Sequence, residues 1–189
     1  MNSFYSRDEL LELGFKTLGE HVLISRKASI YNASCIEIGN HVRIDDFCVI
    51  SGNISFGDYI HISMGTGLFA GNAGIVLEDY TTVSSRCAVY AVSDDYSGES
   101  MTNPMVPDEY RDVTEKRVII KKHTIIGTGS TILPGVMLGE GTSVGAMSLI
   151  NRDTEPWTIY AGIPVRKIKL RSQQILEIEK RLKEEAGSK

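Results

Sequence analysis

The sequence has few cysteines, no excess of basic residues and no long apolar run, and each absence excludes a class of protein. Its three cysteines, Cys35, Cys48 and Cys87, are an odd number at unrelated spacings, which is neither a disulfide framework nor a zinc knuckle. The formal net charge of −4 is unlike that of a nucleic-acid-binding protein, which usually has a strongly basic face. No segment approaches the ~18 apolar residues of a membrane span, and the chain does not begin with a basic segment followed by an apolar run. We therefore expect one cytoplasmic domain.

What the chain does contain is an aliphatic residue, once a phenylalanine, at every sixth position in four uninterrupted runs. The residue that follows is often glycine, and the one four positions on is usually small; Cys48 and Cys87 fall in this small slot, so we expect them to be buried. A period of six fits neither an α-helix nor a heptad repeat. It predicts a triangular parallel β-helix, an all-β solenoid of about six coils, with the aliphatic side chains pointing inward. The series is Leu18, Ile24, Ile30, Ile38, Ile44, Ile50, Phe56, Ile62, Leu68, Leu77, Val83, Val89, Ile120, Ile126, Ile132, Leu138, Val144 and Ile150.

The two ends of the chain are predicted to be helices that cap the solenoid. Residues 1–15 contain a capping box, Ser6 to Glu9, ahead of apolar residues, and residues 171–189 contain an apolar helical face that Ser172 can cap. Residues 16–170 form the β-helix between them. Solenoids need such caps because an open coil end exposes core and unpaired strands.

One long interruption breaks the series in the middle of the chain. After Val89 the next aliphatic residue is due at position 95 but arrives at Ile120, so residues 94–117 form a loop after the fourth coil. A loop of this length inside a compact repeat is usually functional or disordered. Its prolines and its hydrophobic residues, among them Met101 and Tyr110, favour a loop that packs against a surface.

Two segments, ILPGV (132–136) and VGAMSLINRDTEPWTIYAGIPVRKIK (144–169), carry a resemblance to a known family. Together with the six-residue series and the mid-chain loop, they resemble the hexapeptide-repeat acetyltransferases, in particular the galactoside, maltose and nodulation-sugar branch. The resemblance implies a left-handed β-helix and a homotrimer with active sites between subunits, where the loop closes over the acceptor. It also implies transfer of an acetyl group from acetyl-CoA, without a metal, to a sugar or nucleotide-linked sugar in surface polysaccharide biosynthesis.

The resemblance further assigns residues to acetyl-CoA. Two positions at coil turns match contacts of the pantetheine or adenine-bearing arm, and two more match a Thr-Lys pair at the same arm. Two basic residues after the last coil match cations near the CoA phosphates, which they would hold by charge-assisted hydrogen bonds. A solvated basic tail is the structural alternative for these cations. In this order the positions are Thr128 and Ala146, Asn151 and Arg152, and Arg166 and Lys169.

The general base of the resembling enzymes is replaced in this sequence. In that branch a histidine stands where the chain leaves the solenoid and takes a proton from the sugar hydroxyl; the matching residue is Asp94. Three interpretations remain open. In the first, the acceptor is an amine, and Asp94 or Asp95 orients the ammonium and accepts its proton. In the second, another histidine is the base, either His123, at a turn near the loop, or His61, one coil earlier. In the third, an aspartate with a raised pKa acts on a hydroxyl. The candidates for substrate binding are Asp95, Tyr90 and Tyr96.

Two other functional classes compete with acyl transfer. Replacement of the histidine is compatible with a non-catalytic assembly protein that has a decayed acyl-CoA site. A metalloprotein similar to the γ-class carbonic anhydrases needs three histidines that converge on zinc, and His41, His61 and His123 lack the spacing of that family. The retained basic residues after the last coil favour the enzyme. We predict an acetyl-CoA-dependent O- or N-acetyltransferase.

Overall fold

The computed structural model describes residues 3–187, which form the predicted parallel β-solenoid of triangular cross-section. Positions 1, 2, 188 and 189 of the predicted terminal segments lie outside the described residues. Each coil contributes one short strand to each of three sides, and the strands of successive coils pair in parallel. We number the sides in the order in which the chain meets them. The first corner joins the first and second sides, the second corner joins the second and third, and the third corner leads to the next coil.

The first side consists of β1 (Thr17–Leu18), β4 (Ile36–Ile38), β7 (Ile54–Phe56), β10 (Ile75–Leu77), β15 (Val118–Ile120) and β18 (Met137–Leu138). The second side consists of β2 (Leu23–Ile24), β5 (Arg43–Ile44), β8 (His61–Ile62), β11 (Thr82–Val83), β16 (Ile125–Ile126), β19 (Ser143–Val144), β21 (Thr158–Ala161) and the antiparallel β22 (Arg166–Leu170). The third side consists of β3 (Ser29–Tyr31), β6 (Val49–Ser51), β9 (Gly67–Phe69), β12 (Ala88–Tyr90), β17 (Thr131–Ile132) and β20 (Leu149–Ile150). The chain thus makes the six coils predicted, and β21 begins a seventh.

The aliphatic series forms the core of the prism, as predicted. Every residue of the series is buried except Leu18 and Ile30, which are partly buried near the N-terminal end. The side chains stack in register from coil to coil, as Ile38, Phe56 and Leu77 do on the first side. Both cysteines that the sequence places in inward slots are buried as well. Because burial of one such apolar side chain contributes about 1.5–3 kcal/mol, this column is the main source of stability.

A stack of aromatic rings runs along the first corner. Its five consecutive members all have positive φ, and neighbouring ring centroids lie 4.6–5.2 Å apart. They are His21, His41, Tyr59, Tyr80 and His123. The stack ends under Trp157, whose ring lies over Gly141, where a Cβ would come within 2.4 Å of the indole. Trp157 therefore packs against the C-terminal end of the stack.

The terminal helices are α1 (Arg7–Glu12) and α2 (Ile175–Gly187). The predicted capping box is present, because the Ser6 hydroxyl accepts a hydrogen bond from the Glu9 N–H while the Glu9 carboxylate accepts one from the Ser6 N–H. Before α2, the Ser172 hydroxyl accepts a hydrogen bond of 3.3 Å from a main-chain N–H. Among residues 3–187, no helix combines the length and the apolar character that a bilayer crossing requires.

The mid-chain loop leaves the solenoid at the third corner. Its root is a two-stranded antiparallel ribbon of β13 (Val92–Ser93) and β14 (Thr114–Glu115), tied to the column by a hydrogen bond from the Lys116 N–H to the Ala91 carbonyl. A 3₁₀ turn at Asp108–Tyr110 lies within the loop. The ribbon fixes the direction in which the loop leaves, and so fixes the residues that follow β13.

Candidate active site

Asp94 lies directly after β13, at the root of the loop. It is half-buried, and its main-chain oxygen accepts a hydrogen bond of 3.1 Å from the Ser93 hydroxyl. Its carboxylate, in contrast, accepts no hydrogen bond from any group in the part of the chain that the structure describes. The ribbon fixes the position of Asp94, and its carboxylate has no hydrogen-bond partner among the described residues. Such a carboxylate is available to take a proton from a substrate.

Asp95 has a different environment from its neighbour. Its carboxylate accepts hydrogen bonds from the Ser97 N–H (2.7 Å), the Ser97 hydroxyl (3.0 Å) and the Ser100 N–H (2.9 Å). These hydrogen bonds stabilise the charged form and lower the pKa of Asp95 to about 2. Asp95 therefore organises the turn after the ribbon, and a proton acceptor with so low a pKa is a poor base.

The two tyrosines proposed to flank an acceptor lie in unlike surroundings. Tyr90, at the end of β12, stacks on Phe69 with ring centroids 5.0 Å apart. Tyr96, in the loop, is 95% exposed. Tyr90 is thus fixed at the third corner beside the loop root, whereas Tyr96 contacts little of its own chain.

His123 is not beside the loop root, contrary to what its place in the sequence suggests. It belongs to the aromatic stack at the first corner, whereas the loop leaves from the third. Its side chain is buried beneath α2, with Nε2 2.8 Å from the Glu179 carboxylate, and Nδ1 has no hydrogen-bond partner among residues 3–187. A buried imidazole that contacts a helix carboxylate at the first corner cannot reach a substrate at the loop of its own chain.

His61 lies on the outer surface of the second side, in β8. Its Nε2 is 2.8 Å from Asp45 Oδ2, and the other carboxylate oxygen accepts a hydrogen bond of 2.7 Å from Arg43 Nε. Burial raises the pKa of Asp45, but the hydrogen bonds from His61 and Arg43 outweigh it and lower that pKa overall. Asp45 thus orients an accessible imidazole, the arrangement that a general base requires.

The three histidines considered for zinc do not converge. His41 and His123 belong to the stack at the first corner, and His61 projects from the second side. Within residues 3–187, no three His, Cys, Asp or Glu side chains are grouped as metal ligands.

Several small residues line the second corner in the coils that follow β11. A Cβ on Gly127 would lie 2.4 Å from the main-chain nitrogen of Ala146, so only glycine allows the coils to stack there. Thr128 and Ala146, two of the positions proposed for CoA, are exposed along this corner, and the Thr128 hydroxyl donates a hydrogen bond of 2.6 Å to the Ser85 carbonyl. The N–H groups of Ser85, Thr128 and Ala146 have no acceptor among the described residues. These N–H groups recur about every 4.8 Å and can pair with the amides of an extended ligand.

The basic residues after the last coil divide into two groups. Lys167 is ion-paired with Glu155, and Arg171 donates hydrogen bonds to main-chain carbonyls, including that of His123 at 2.7 Å. Arg166 and Lys169, on β22, are exposed, and their side chains have no partner within the described chain. The latter two are therefore the cations available to a phosphate.

Asn151 and Arg152 lie apart from the other positions proposed for CoA. Both are exposed and follow β20, so they are at the third corner. The third side separates them from Thr128 and Ala146. Within one chain, the proposed CoA residues thus fall into two sets.

One surface cavity is lined by none of the candidate site residues that the sequence predicts. It has a volume of about 620 Å³ and lies on the outer face of the first side. Its polar lining comes from Lys16, Ser34, Glu37, Asn53, Ser55 and Arg117. No motif marked it, because its lining comes from several coils and from the end of the loop.

Comparison with known proteins identifies the family. A dTDP-4-amino-4,6-dideoxy-D-glucose acyltransferase from Escherichia coli is 47% identical to this chain over 174 residues, which is 90% of each protein. The chain belongs to the hexapeptide-repeat acyltransferases. Its fold matches the left-handed β-helix of that family, which confirms the predicted fold class. No protein-family model matches the sequence.

Solved structures of this acyltransferase family agree closely. AntD, an N-acyltransferase from Bacillus cereus, is 49% identical, with a TM-score of 0.96 over 98% of this chain and 99% of that chain, in a complex with dTDP-4-amino-4,6-dideoxyglucose and coenzyme A. A further AntD structure, with dTDP and 3-hydroxybutyryl-CoA, has a TM-score of 0.97 at the same identity and covers 99% of this chain and all of that one. The predicted CoA-dependent acyltransferase is thereby confirmed.

Proposed function

We propose that this acyltransferase transfers an acyl group from acyl-CoA to the amino group of a nucleotide-linked amino deoxysugar. The proposal rests on the carboxylate of Asp94 at the loop root, which has no hydrogen-bond partner among the described residues. At this place the O-acetylating enzymes of the resembling branch have a histidine. An amine needs less activation than a hydroxyl. With a pKa near that of an α-amino group, about 7.7–8.0, it is partly neutral at pH 7. The AntD complex with an amino sugar and CoA supports the same substrate class.

The reaction is direct attack within a ternary complex. The amine nitrogen attacks the thioester carbonyl carbon, the new C–N bond forms, and the carbonyl electrons move onto oxygen. The C–S bond then breaks, and CoA leaves as a thiolate. Asp94 takes a proton from the amine, and that proton goes to the departing sulfur. Holding both substrates in this geometry supplies much of the acceleration.

Two adjacent serines at the second corner are the further residues that we assign to this reaction. AntD has been crystallised with replacements of a serine numbered 84 and an aspartate numbered 94, and this chain has Ser84 and Asp94 at the same numbers. The Ser84 hydroxyl has no partner among residues 3–187, and the next N–H, that of Ser85, is equally unpaired. A main-chain donor of this kind stabilises the oxyanion of acyl transfer. Nothing in the sequence distinguished these serines from the other small corner residues.

The active site is completed by a neighbouring subunit in a homotrimer. Ser84 is at the second corner and Asp94 at the third, with β12 between them, so one chain does not bring the two together. A second copy supplies the missing half if its second corner faces the loop of the first. The loop also exposes large apolar side chains, which is typical of a segment that packs against another subunit. Tyr96 is 95% exposed and Met105 90%, and the buried Nε of Arg111 has no partner in the described chain.

The proposed setting is the cytoplasm, within the assembly of surface polysaccharides. Acyl-CoA, the acyl donor, and the nucleotide-linked sugar, the acceptor, are both water-soluble, and N-acylation of the activated sugar would precede its transfer to a growing chain. A putative lipopolysaccharide O-acetyltransferase of Escherichia coli, 27% identical over 135 residues, supports this class of pathway.

A hydroxyl acceptor with His61 as its base is the second candidate function. The specific observation in its favour is the 2.8 Å contact between His61 and Asp45, which orients the imidazole. In a trimer this surface could face the loop of a neighbour. The amine remains the better proposal, because Asp94 lies in the loop itself.

The decisive test measures thiol release from acetyl-CoA with pairs of nucleotide-linked deoxysugars that differ only in an amino or a hydroxyl group. We expect turnover with the amine of a pair and none with the hydroxyl. His61→Ala should leave this turnover unchanged, because an amine does not need the imidazole. Turnover with hydroxyl acceptors that disappears in His61→Ala would instead establish the second candidate.

Removal of either free cation on β22 should weaken the binding of acyl-CoA. We expect Arg166→Ala or Lys169→Ala to raise the KM for acetyl-CoA about tenfold, the effect of losing one charge-assisted hydrogen bond worth roughly 1.5 kcal/mol. Lys167→Ala is the matched control, since Glu155 already engages that lysine. The measurement compares the KM for acetyl-CoA with the KM for acetyl-pantetheine. Because acetyl-pantetheine lacks the phosphates, its KM should be the same for the wild type and the variants. An unchanged KM for acetyl-CoA in both variants would place its phosphates elsewhere.

A further inference from the structure

Met64 lies next to Ser85 in a row of residues along the second corner. Hydrogen bonds between successive coils fix the order of this row. The Met64 carbonyl accepts one of 3.0 Å from the N–H of Arg86, which follows Ser85. The Ser85 carbonyl accepts one of 3.0 Å from the N–H of Gly129, which follows Thr128. Met64 in the third coil, Ser85 in the fourth and Thr128 in the fifth are therefore consecutive, with coils about 4.8 Å apart.

The groups assigned to acyl-CoA give this row a direction. The two free cations of β22 are at the C-terminal end of the column, where they are available to the phosphates. The unpaired N–H groups of Ala146 and Thr128 come next toward the N-terminal end, followed by the unpaired N–H of Ser85. With the thioester oxygen at the Ser85 N–H, an acyl chain that continues this line reaches Met64.

The surface of the third coil at this corner is apolar. Met64 is 42% exposed, and a flexible thioether side chain adapts to the shape of an apolar ligand. The stem of Arg86 extends over the neighbouring Gly65, where a Cβ would lie 3.5 Å from Arg86 Cγ. Arginine stems present hydrocarbon surface in the same way as an aliphatic side chain. Two hydrocarbon surfaces are thus available one coil beyond Ser85.

The apolar surface ends at the second coil. Asp46 is the next residue of the row, because its carbonyl accepts a hydrogen bond of 3.0 Å from the Gly65 N–H. The Asp46 carboxylate is 3.1 Å from Lys27 Nζ, and the same ammonium lies 5.5 Å from the ring centroid of Phe47. An apolar chain that covers an ion pair removes water from it without offering a hydrogen bond, which is unfavourable. The surface available to an acyl chain is therefore one coil long.

We propose that the third coil of the second corner is the subsite for the acyl chain, and that Met64 makes the enzyme prefer a four-carbon acyl group to acetyl. The inference deepens the proposed function and rests on it, through the role of the Ser85 N–H. The methyl group of an acetyl thioester remains in the coil of Ser85. The end of an extended butyryl chain reaches the next coil and contacts Met64, whereas the end of a hexanoyl chain reaches Asp46 and its ion pair.

Calorimetric titration of the full-length protein with CoA, acetyl-CoA, butyryl-CoA and hexanoyl-CoA tests the inference. We expect the Kd of butyryl-CoA to be roughly three- to tenfold below that of acetyl-CoA, because each buried methylene contributes up to about fourfold. Hexanoyl-CoA should bind no more tightly than butyryl-CoA. Met64→Gln keeps the length of the side chain but makes its end polar, so it should abolish the advantage of butyryl-CoA. Met64→Leu should retain that advantage.

Met147→Gln is the matched control. Met147 is an exposed methionine of the same corner, on the pantetheine side of Ser85. Any effect of this change is common to all the acyl-CoAs, so the ratio of the Kd values for acetyl-CoA and butyryl-CoA should stay at the wild-type value. Equal binding of the two donors by the wild type would overturn the inference. So would a Met64→Gln variant that weakens both donors by the same factor.

Thiol release by the wild type, with a nucleotide-linked amino sugar as acceptor, separates this inference from the proposed function. Thiol release combined with equal Kd values for acetyl-CoA and butyryl-CoA would leave the proposed function standing and the acyl subsite wrong. Thiol release with hydroxyl acceptors alone would instead overturn the proposed acceptor class. Because the titrations contain no acceptor, they decide on Met64 in either case.

Discussion

Replacement of Asp94 by asparagine should lower kcat for the amine acceptor by about 10²–10⁴-fold, the usual contribution of a positioned general base. The amide is nearly isosteric with the carboxylate but cannot accept the proton that leaves the attacking amine. Because the Asp94 carboxylate has no hydrogen bond to any other described residue, the change should leave the fold intact. The measurement is thiol release from acetyl-CoA at saturating amino sugar, with the KM for acetyl-CoA as a check on the donor site.

Asp95→Asn is the matched control for this experiment. Its carboxylate is held by Ser97 and Ser100, so the change should loosen the turn without removing the base. The pH profile provides a second readout. Without the Asp94 carboxylate, the reaction depends on amine that is already neutral, so the rate should rise with pH through about 7.7–8.0. A kcat that Asp94→Asn leaves at the wild-type value would contradict the role of Asp94.

Loss of Glu179 should destabilise the docking of α2 more than any other single change in that helix. The carboxylate of Glu179 is buried and contacts Lys122 Nζ at 2.7 Å, Lys183 Nζ at 2.6 Å and His123 Nε2 at 2.8 Å. Removing one partner from a buried ionic cluster leaves the others uncompensated and typically costs about 3–5 kcal/mol. We therefore expect Glu179→Ala to lower the free energy of unfolding by roughly 3 kcal/mol.

Urea unfolding measures this loss, and amide exchange in α2 shows whether the helix detaches first. Glu185→Ala, an exposed position in the same helix, is the control and should stay within about 0.5 kcal/mol of the wild type. Equal stability of the two variants would mean that Glu179 does not hold α2 to the column.

The same cluster predicts a dependence of stability on pH. Burial raises the pKa of Glu179, but hydrogen bonds from Lys122, Lys183 and His123 outweigh it and lower that pKa from 4.5 to about 2. Since the folded pKa lies below the unfolded value, the contribution is fully present above about pH 4.5 and is lost as the pH falls toward 2. The difference in stability between wild type and Glu179→Ala should therefore shrink across that window. A difference that stays constant there would exclude Glu179 as the titrating group.

The architecture was predictable from the sequence because the direction of each side chain is a local property of a strand. In this chain an inward aliphatic residue recurs at every sixth position. The residue four positions later is usually small, because it lies beside a corner of the coil. That pattern required no knowledge of distant contacts, and the interruption after Val89 located the loop for the same reason.

The candidate site was only partly predictable, because its properties depend on contacts between distant residues. The sequence pointed to Asp94 and Asp95 together. The hydrogen bonds from Ser97 and Ser100 engage the carboxylate of Asp95, whereas the carboxylate of Asp94 has no such partner among the described residues. His123 looked like a base near the loop, but Glu179, 56 residues later in the chain, buries it.

By itself, the sequence determined the six-residue solenoid, its capped ends, its acyltransferase family and the place where the loop interrupts the coils. These follow from patterns that repeat over short distances. The tertiary structure alone decided which titratable side chains are free and which N–H groups of the second corner are unpaired. Each of these depends on which coils and helices pack together, because a hydrogen bond needs its partner within about 3 Å, whatever the separation along the chain.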